Sequence, residues 1–457
     1  MTTAEPSRPT PAPAGPATDA GPAPAPHPLV GTVDWNAVTR EAADLLSAYV
    51  KLDSSHPRGR TDGTTDFLTD ILAAEGLETR RYETGEPGKV NLVASLRAER
   101  PTDKPVLLSS HMDVVQAVAS DWTFDPFSGE IADGYVYGRG TIDMKGMGIM
   151  ELLTVLLLKR HGVPLARDVL LLFTCDEEVG SVMGAKWMVE HHFADLDPGF
   201  VLDEGGSGLR GFFDAGQAFA VSVGEKRILW LKMIARAEPG HASQPWEDAA
   251  THRLLRAADK ILTRPPEHRD SPAVAEMLRR LGGERARREV EAHRATRPLL
   301  RDTVSLTMLA GGYKINVLPE QAELHFDCRL LPETDEHAFV ADLERLVDDP
   351  AIRFEVIAWP SGPAATAPWH GPEFAVVEQA CRAHAPTALV IPSLFVAATD
   401  ARFFRARGVP AYGLVPCIFT AEDLKGYHGI DERLSLDNLR LGTRIIFDLT
   451  ARLAARA

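Results

Sequence analysis

The sequence predicts an α/β protein: a mainly parallel sheet assembled from both ends of the chain, with a compact α+β unit inserted between them. Three observations carry this. Short apolar runs alternate with longer helical stretches through the first half, the texture of a parallel sheet whose crossovers are helices. The same texture returns after residue 388, so one sheet draws strands from both ends. The middle of the chain instead groups several strands around one helix, as an α+β unit does. At 457 residues the chain exceeds one ordinary core and is long enough for roughly two or three units.

Nine of the first 28 residues are proline, interleaved with alanine, and little there can pack against a core. Residues 1–32 are therefore read as a disordered leader, with order beginning near Val33. Trp35, Val38, Ala42, Leu45, Leu46 and Tyr49 recur at helical spacing and form the apolar face of a first helix. Val90 to Leu96, Val106 to Ser109, Val169 to Thr174 and Phe200 to Leu202 read as strands, and Lys145 to Arg160 as a buried helix, all within a first part of the main unit at 33–218. The insert, 219–358, holds strands at Ile228 to Ala235, near Thr303 to Leu309 and at Glu323 to Leu330, with a helix at Ala249 to Leu262. Residues 359–457 return to the main unit through a strand at Ala388 to Ile391, a helix at Asp400 to Arg407 and a strand at Ala411 to Val415. Between Arg264 and Arg301 a stretch dense in Arg and Glu reads as a solvated helical excursion.

Composition narrows the class. Apolar residues make up 45% and charged residues 25%, the balance of a soluble globular protein. Lys plus Arg total 49 against 64 Asp plus Glu, a formal charge of -15, which repels a phosphate backbone and argues against a nucleic-acid partner. No run approaches about 18 apolar residues and no signal-like head opens the chain, so no membrane contact and a cytoplasmic location are expected by default. Cys175, Cys328, Cys381 and Cys417 are scattered without a CxxC pair and read as small buried residues, not as disulfides or a thiolate zinc site.

The chemistry gathers at the carboxyl ends of strands, where open parallel sheets bind ligands. Ser109-Ser110-His111-Met112-Asp113 follows an apolar strand, and a histidine two residues from a carboxylate can bind metal through one ring nitrogen while the carboxylate orients the ring. Alone, the pair reads more simply as a hydrogen-bonded structural histidine. In Gly138-Arg139-Gly140-Thr141-Ile142-Asp143-Met144-Lys145-Gly146, glycines bracket Asp143 just before a helix. They either permit a backbone that turns one carboxylate toward two ions or form an ordinary capping loop. Asp176, Glu177 and Glu178 end a very apolar strand, and three consecutive carboxylates there repel one another unless a cation neutralises them. Asp203 stands at another strand end, and His428 lies near glycines late in the chain. Five nitrogen and oxygen donors, His111, Asp143, Glu178, Asp203 and His428, suit a cocatalytic zinc pair more than a structural zinc, and the same donors accept Co2+ or Mn2+.

From about Val33 onward, these motifs resemble the aminoacylase, carboxypeptidase G and acetylornithine deacetylase superfamily of dinuclear zinc metallopeptidases and amidohydrolases. The resemblance implies a zinc-hydrolase catalytic domain whose insert is a lid and dimerisation domain. It implies two Zn2+ per chain: His111 on one ion, Asp143 bridging both, Asp203 completing the first site, and Glu178 and His428 the second. Glu177 then matches the general base, with Asp113 the carboxylate behind His111. Pro239-Gly240-His241-Ala242-Ser243 resembles the lid motif whose histidine reaches into a neighbouring subunit and stabilises the oxyanion, which implies a homodimer. Asn316, within Gly312 to Pro319, and Arg329, within Asp327-Cys328-Arg329, resemble the residues that hold a substrate carboxylate, a role an arginine fork suits physically. In Ala397-Ala398-Thr399-Asp400-Ala401-Arg402, alanines stand where the family usually has glycines, which leaves specificity open.

The implied activity is hydrolysis of an amide bond in an N-acyl amino acid or small peptide with a free carboxylate. One rival is an aminopeptidase or tripeptidase on the same metal pair, against which Arg329 speaks. Another is a catalytically silent metal-binding protein, against which Glu177 speaks. A nucleophilic Cys175 is disfavoured by carboxylates beside it, which raise a thiol pKa.

Overall fold

Strands that are covered on both faces read as continuous apolar runs, and every residue of Val106–His111 and of Val169–Thr174 is buried. The computed structural model describes residues 22–269, 271–359 and 364–456. It places these two strands near the middle of an eight-stranded sheet. The order is Glu78–Glu83, Val90–Leu96, Val169–Thr174, Val106–His111, Phe200–Phe213, Ala411–Phe419, Gly216–Glu225 and Leu389–Phe395. Val106–His111 runs parallel to both neighbours, and Ala411–Phe419 runs parallel to Phe200–Phe213. Antiparallel pairs close one edge and form the hairpin from Phe200–Phe213 into Gly216–Glu225. Strands from both ends of the chain thus share one mainly parallel sheet.

The helix Lys145–Arg160 is buried at every position from Lys145 to Leu158, as expected of a helix enclosed on all sides. It packs against the sheet and between Trp35–Val50 and Leu436–Ala454. Its start carries Asp143 to the carboxyl end of Val106–His111, where His111 ends the strand.

The insert is a four-stranded antiparallel sheet, ordered Thr303–Gly311, Gln321–Leu330, Arg227–Arg236, Ile352–Ala358. The helices Ala250–Leu262 and Glu336–Val347 cover one face of it, over a core that includes Leu229, Leu231, Met233, Leu324 and Phe326. Its boundary differs from the expected 219: Gly216–Glu225 still belongs to the main sheet, and the crossing falls at Lys226. A hairpin strand reads the same as a strand of the insert, so periodicity could not separate them. Lys226 is buried, and its Nζ donates to the carbonyls of Pro298 at 3.0 Å and Arg301 at 2.8 Å.

Two expectations are corrected. The excursion between Arg264 and Arg301 is helical, at Pro272–Leu281 and Glu284–Ala292, but it is not simply solvated. Val274, Met277, Leu278 and Leu281 recur at helical spacing and enter the core of the main sheet, where Pro272–Leu281 packs on Leu389–Phe395. The density of Arg and Glu masked this apolar stripe. Met277→Ala should therefore cost about 2–5 kcal/mol, the usual range for truncating a buried methionine, and visibly lower the thermal midpoint. A solvated helix predicts a change within about 0.5 kcal/mol.

The second correction concerns the leader. Residues 1–21 lie outside the described residues, but the rest of the expected leader is docked. Pro28–Thr32 forms a 3-10 turn with Val30 buried, and the Trp35 Nε1 donates to the Val30 carbonyl at 2.9 Å. The backbone N–H of His27 donates to the carboxylate of Asp448 at 3.3 Å. The run between Pro28 and Val33 is too short for periodicity to reveal it.

Candidate metal centre

Two strands, carrying His111 and Glu204, and three loops, carrying Asp143, Glu177 with Glu178, and His428, deliver the site. His111 closes its strand with Nδ1 2.8 Å from the carbonyl of Asp113. A proton on Nδ1 satisfies that contact and leaves Nε2 with a lone pair directed at carboxylates, the usual arrangement of a ligating histidine. Asp143 offers one oxygen to each imidazole: Oδ1 lies 3.0 Å from His111 Nε2 and Oδ2 2.8 Å from His428 Nε2. Glu178 Oε2 lies 3.2 Å from His428 Nε2. Candidate ligand atoms of His111, Asp143 and Glu178 all fall within 4.8 Å of one another, as do those of His111, Glu177 and Glu204.

The expectation for Asp203 is corrected here, because successive side chains of a strand point to opposite faces. It is Glu204, not Asp203, whose Oε1 comes within 3.6 Å of His111 Nε2. Asp203 turns to the other face, where burial and then Asp400 raise its pKa to about 8. Glu204 was legible as the next residue along, but which of two adjacent carboxylates faces the site depends on the register and pitch of the folded strand.

Asp113, expected from the sequence, and His56 and Glu432, which sequence reasoning did not single out, hold these loops. Asp113 is fully buried and accepts the N–H of Glu177 at 3.1 Å, the N–H of Glu178 at 3.2 Å and a contact from His56 Nε2 at 2.8 Å. Buried Glu432 accepts from the backbone N–H groups of Gly140, Ile142 and Asp143 and from Arg139, fixing the turn that carries Asp143. The glycines bracketing this turn are needed: Gly140 has φ +89°, and a Cβ at Gly146 would run into the carbonyl of Thr141. Asp176, Ser181 and His428 adopt left-handed conformations although none is glycine, strain that concentrates at functional sites.

The electrostatics ask for a cation. Burial, helped by neighbouring carboxylates and opposed by the histidines, pushes the carboxyls of Glu177, Glu178 and Glu204 above the ordinary range. Burial works against charge on His111, yet Asp143, Glu204 and Asp113 hold its pKa well above the usual value. Hydrogen bonding to Asp143 and Glu178 raises His428 to about 10. Protons fill this role when no metal does, since closely packed carboxylates cannot all stay ionised without a compensating positive charge. Glu178 Oε1 is buried with no hydrogen-bond partner among the described residues. Nitrogen and oxygen donors of this kind, and an orphaned carboxylate oxygen among them, fit a divalent metal.

The match to known proteins is broad. Residues 107–452 fit the model of peptidase family M20/M25/M40. The chain belongs to that family. It is 31% identical over 420 residues to aminoacylase-1 of Mus musculus, covering 90% of this chain and 95% of the relative. Its fold matches an M20 family metallo-carboxypeptidase from Sulfolobus solfataricus with a TM-score of 0.68, at 18% identity, over 90% of this chain and 98% of the other. Human carnosine dipeptidase 1 matches with a TM-score of 0.65, at 16% identity, over 93% and 98% of the two chains. As an M20 member, the chain is a hydrolase of amide bonds.

The three site residues expected in the insert make no hydrogen bond to this centre among the described residues. His241 is exposed, with Nδ1 2.7 Å from Ser243 Oγ. A two-stranded ladder pairs His241 with Val317, and the N–H of Ala242 donates to the Asn316 carbonyl at 3.1 Å, so His241 and Asn316 are neighbours. Arg329, on the face of the insert's sheet away from its helices, donates to Asp327 through Nε at 2.7 Å and Nη2 at 3.1 Å. Cys175 is buried, and burial followed by Asp113 pushes its thiol far up, which removes it as a nucleophile. No helix among the described residues is long and apolar enough to cross a membrane.

Proposed function

We propose that this M20 hydrolase cleaves the amide bond of an N-acyl amino acid or small peptide bearing a free carboxylate. Two zinc ions held by His111, Asp143, Glu178, Glu204 and His428 would serve it, with Glu177 as general base. The observation that carries the reading is Asp143, whose two oxygens each meet a different imidazole, the disposition of a carboxylate shared by two ions. Bound metal supplies water acidified from a pKa of about 16 to about 7. Glu177 stands to take the proton of that water and hand it to the departing amine, as one carboxylate can serve as base and acid in turn. The backbone carbonyl of Asp113, rather than the carboxylate expected there, orients His111, while the carboxylate anchors both glutamates by accepting their N–H groups.

The likeness to aminoacylase-1 supports the acyl amino acid over a free-amine peptide. Arg329 supports it too: Asp327 engages Nε and Nη2, which leaves Nη1 to meet a carboxylate. Exposed His241 belongs to this reading as an oxyanion donor for a second copy of the chain. The edge strand Thr303–Gly311 of the lid, with Met308 and Leu309 exposed, offers that copy a pairing surface.

A screen of the purified protein against N-acetyl amino acids, N-long-chain-acyl amino acids and free dipeptides and tripeptides tests the proposal. The expected result is preference for acylated substrates, about two zinc ions per chain, loss of activity on chelation with return on zinc, and a mass in light scattering of twice the chain. Metal content near zero after zinc is supplied, or preference for free-amine peptides, overturns it.

A further inference from the structure

Glu177 and Glu178 ride on a short segment whose shape is unusual. Thr174 ends its strand, Asp176 and Ser181 both sit in the left-handed region with φ 72° and 65°, and Glu177–Val179 forms a 3-10 turn between them. Non-glycine residues hold such conformations only where the surroundings enforce them. One side of the segment is anchored by Asp113, which receives the N–H groups of both glutamates. The other side meets Asp400. Its Oδ2 accepts from Thr174 Oγ1 at 2.8 Å, and its Oδ1 accepts from Ser181 Oγ. A single carboxylate therefore bridges the two ends of the segment, and Asp400, Thr174 and Ser181 are all buried.

The support behind Asp400 is rigid. It directly precedes the helix Ala401–Arg405, whose Phe404 is buried under the sheet. Thr399 is fixed by Glu225, which accepts from its N–H at 2.8 Å and its Oγ1 at 2.6 Å. Arg402 adds contacts from Nη2 to the Gly180 carbonyl at 3.3 Å and to Ser181 Oγ at 3.4 Å.

We infer that Asp400 is a positioning residue for the base and the ligand: by clamping Thr174 and Ser181 together it sets where Glu177 and Glu178 stand relative to Asp143 and His111. This rests on the roles proposed above for the two glutamates. Asp400 acts through the segment and hydrogen-bonds to no candidate ligand, so its loss should slow turnover without altering substrate capture.

Asp400→Asn keeps the shape but converts one acceptor oxygen into a donor, and Ser181→Ala and Thr174→Val each remove one hydroxyl from the clamp. Each variant should lower kcat by about 10- to 100-fold with KM within about threefold, the pattern of an interaction realised in the transition state. Zinc competition against a chelator should show one of the two ions bound about tenfold more weakly in each, a loss typical of an outer-shell partner. Thr174→Ser, which restores the hydroxyl, should return to within about threefold of wild type, and Asp400→Asn with Ser181→Ala should be non-additive because both break one contact.

Wild-type protein that loads zinc and turns over, beside an Asp400→Asn variant with unchanged kcat and zinc affinity, overturns the inference and leaves the proposed function standing. Wild-type protein without metal or turnover overturns the function itself. If Asp400→Asn does not fold, the two single-hydroxyl variants decide: kcat per zinc-loaded molecule unchanged in both overturns the clamp.

Discussion

Glu177→Gln should lower turnover by at least about 100-fold, the scale of losing a general base, while metal content stays nearly intact. Glutamine keeps the shape of the side chain and the N–H that Asp113 receives at 3.1 Å, so only the proton acceptor is lost. The contrast is with its neighbour. Glu178 meets His428 at 3.2 Å and shares a cluster with His111 and Asp143, so Glu178→Gln should lose metal first and activity as a consequence. The geometry makes this a real test, because Glu177 also lies within ligand distance of His111 and Glu204. Metal analysis and single-turnover rates of the two variants, measured side by side, separate base from ligand. Equal metal loss in both would show Glu177 to be a ligand and remove the base from the proposal.

Glu204→Gln should weaken metal binding beyond the roughly 10- to 100-fold that an outer-shell loss brings, whereas Asp203→Asn should stay loaded. The two residues are adjacent in sequence but lie on opposite faces of one strand. Only Glu204 approaches His111, at 3.6 Å. Asp203 is buried with Oδ2 unpartnered among the described residues, and burial, then Asp400, raises its pKa to about 8, which favours the neutral form, so a neutral asparagine is a close substitute. Equilibrium dialysis in chelator-buffered zinc measures both. Metal loss in Asp203→Asn with retention in Glu204→Gln would reverse the assignment and require the strand to be turned over relative to the structure.

Most of the architecture was legible because it is written in short-range patterns. Val90–Leu96, Val169–Thr174 and Lys145–Arg160 form as their apolar periodicity indicates, since a strand or helix buried on all sides leaves no polar register to misread. The excursion failed for the opposite reason. Its apolar stripe of Val274, Met277, Leu278 and Leu281 is narrow, and the charges around it dominate any count of composition, so only the packed structure shows which face is inside.

What the sequence alone determined about this protein is the chemistry available to it: His111, Asp143, Glu177, Glu178 and His428 stand at strand ends and glycine turns, where local backbone rules place functional groups. The tertiary structure decided what depends on distance and direction. It turned Glu204 rather than Asp203 toward His111, because a one-residue step inverts the face of a strand. It brought His56 to Asp113, Glu432 to the Asp143 turn and Asp400 to Thr174 and Ser181. These partners lie far apart in the chain, and no local pattern encodes a contact whose energy comes from burying two polar groups against each other in the folded state.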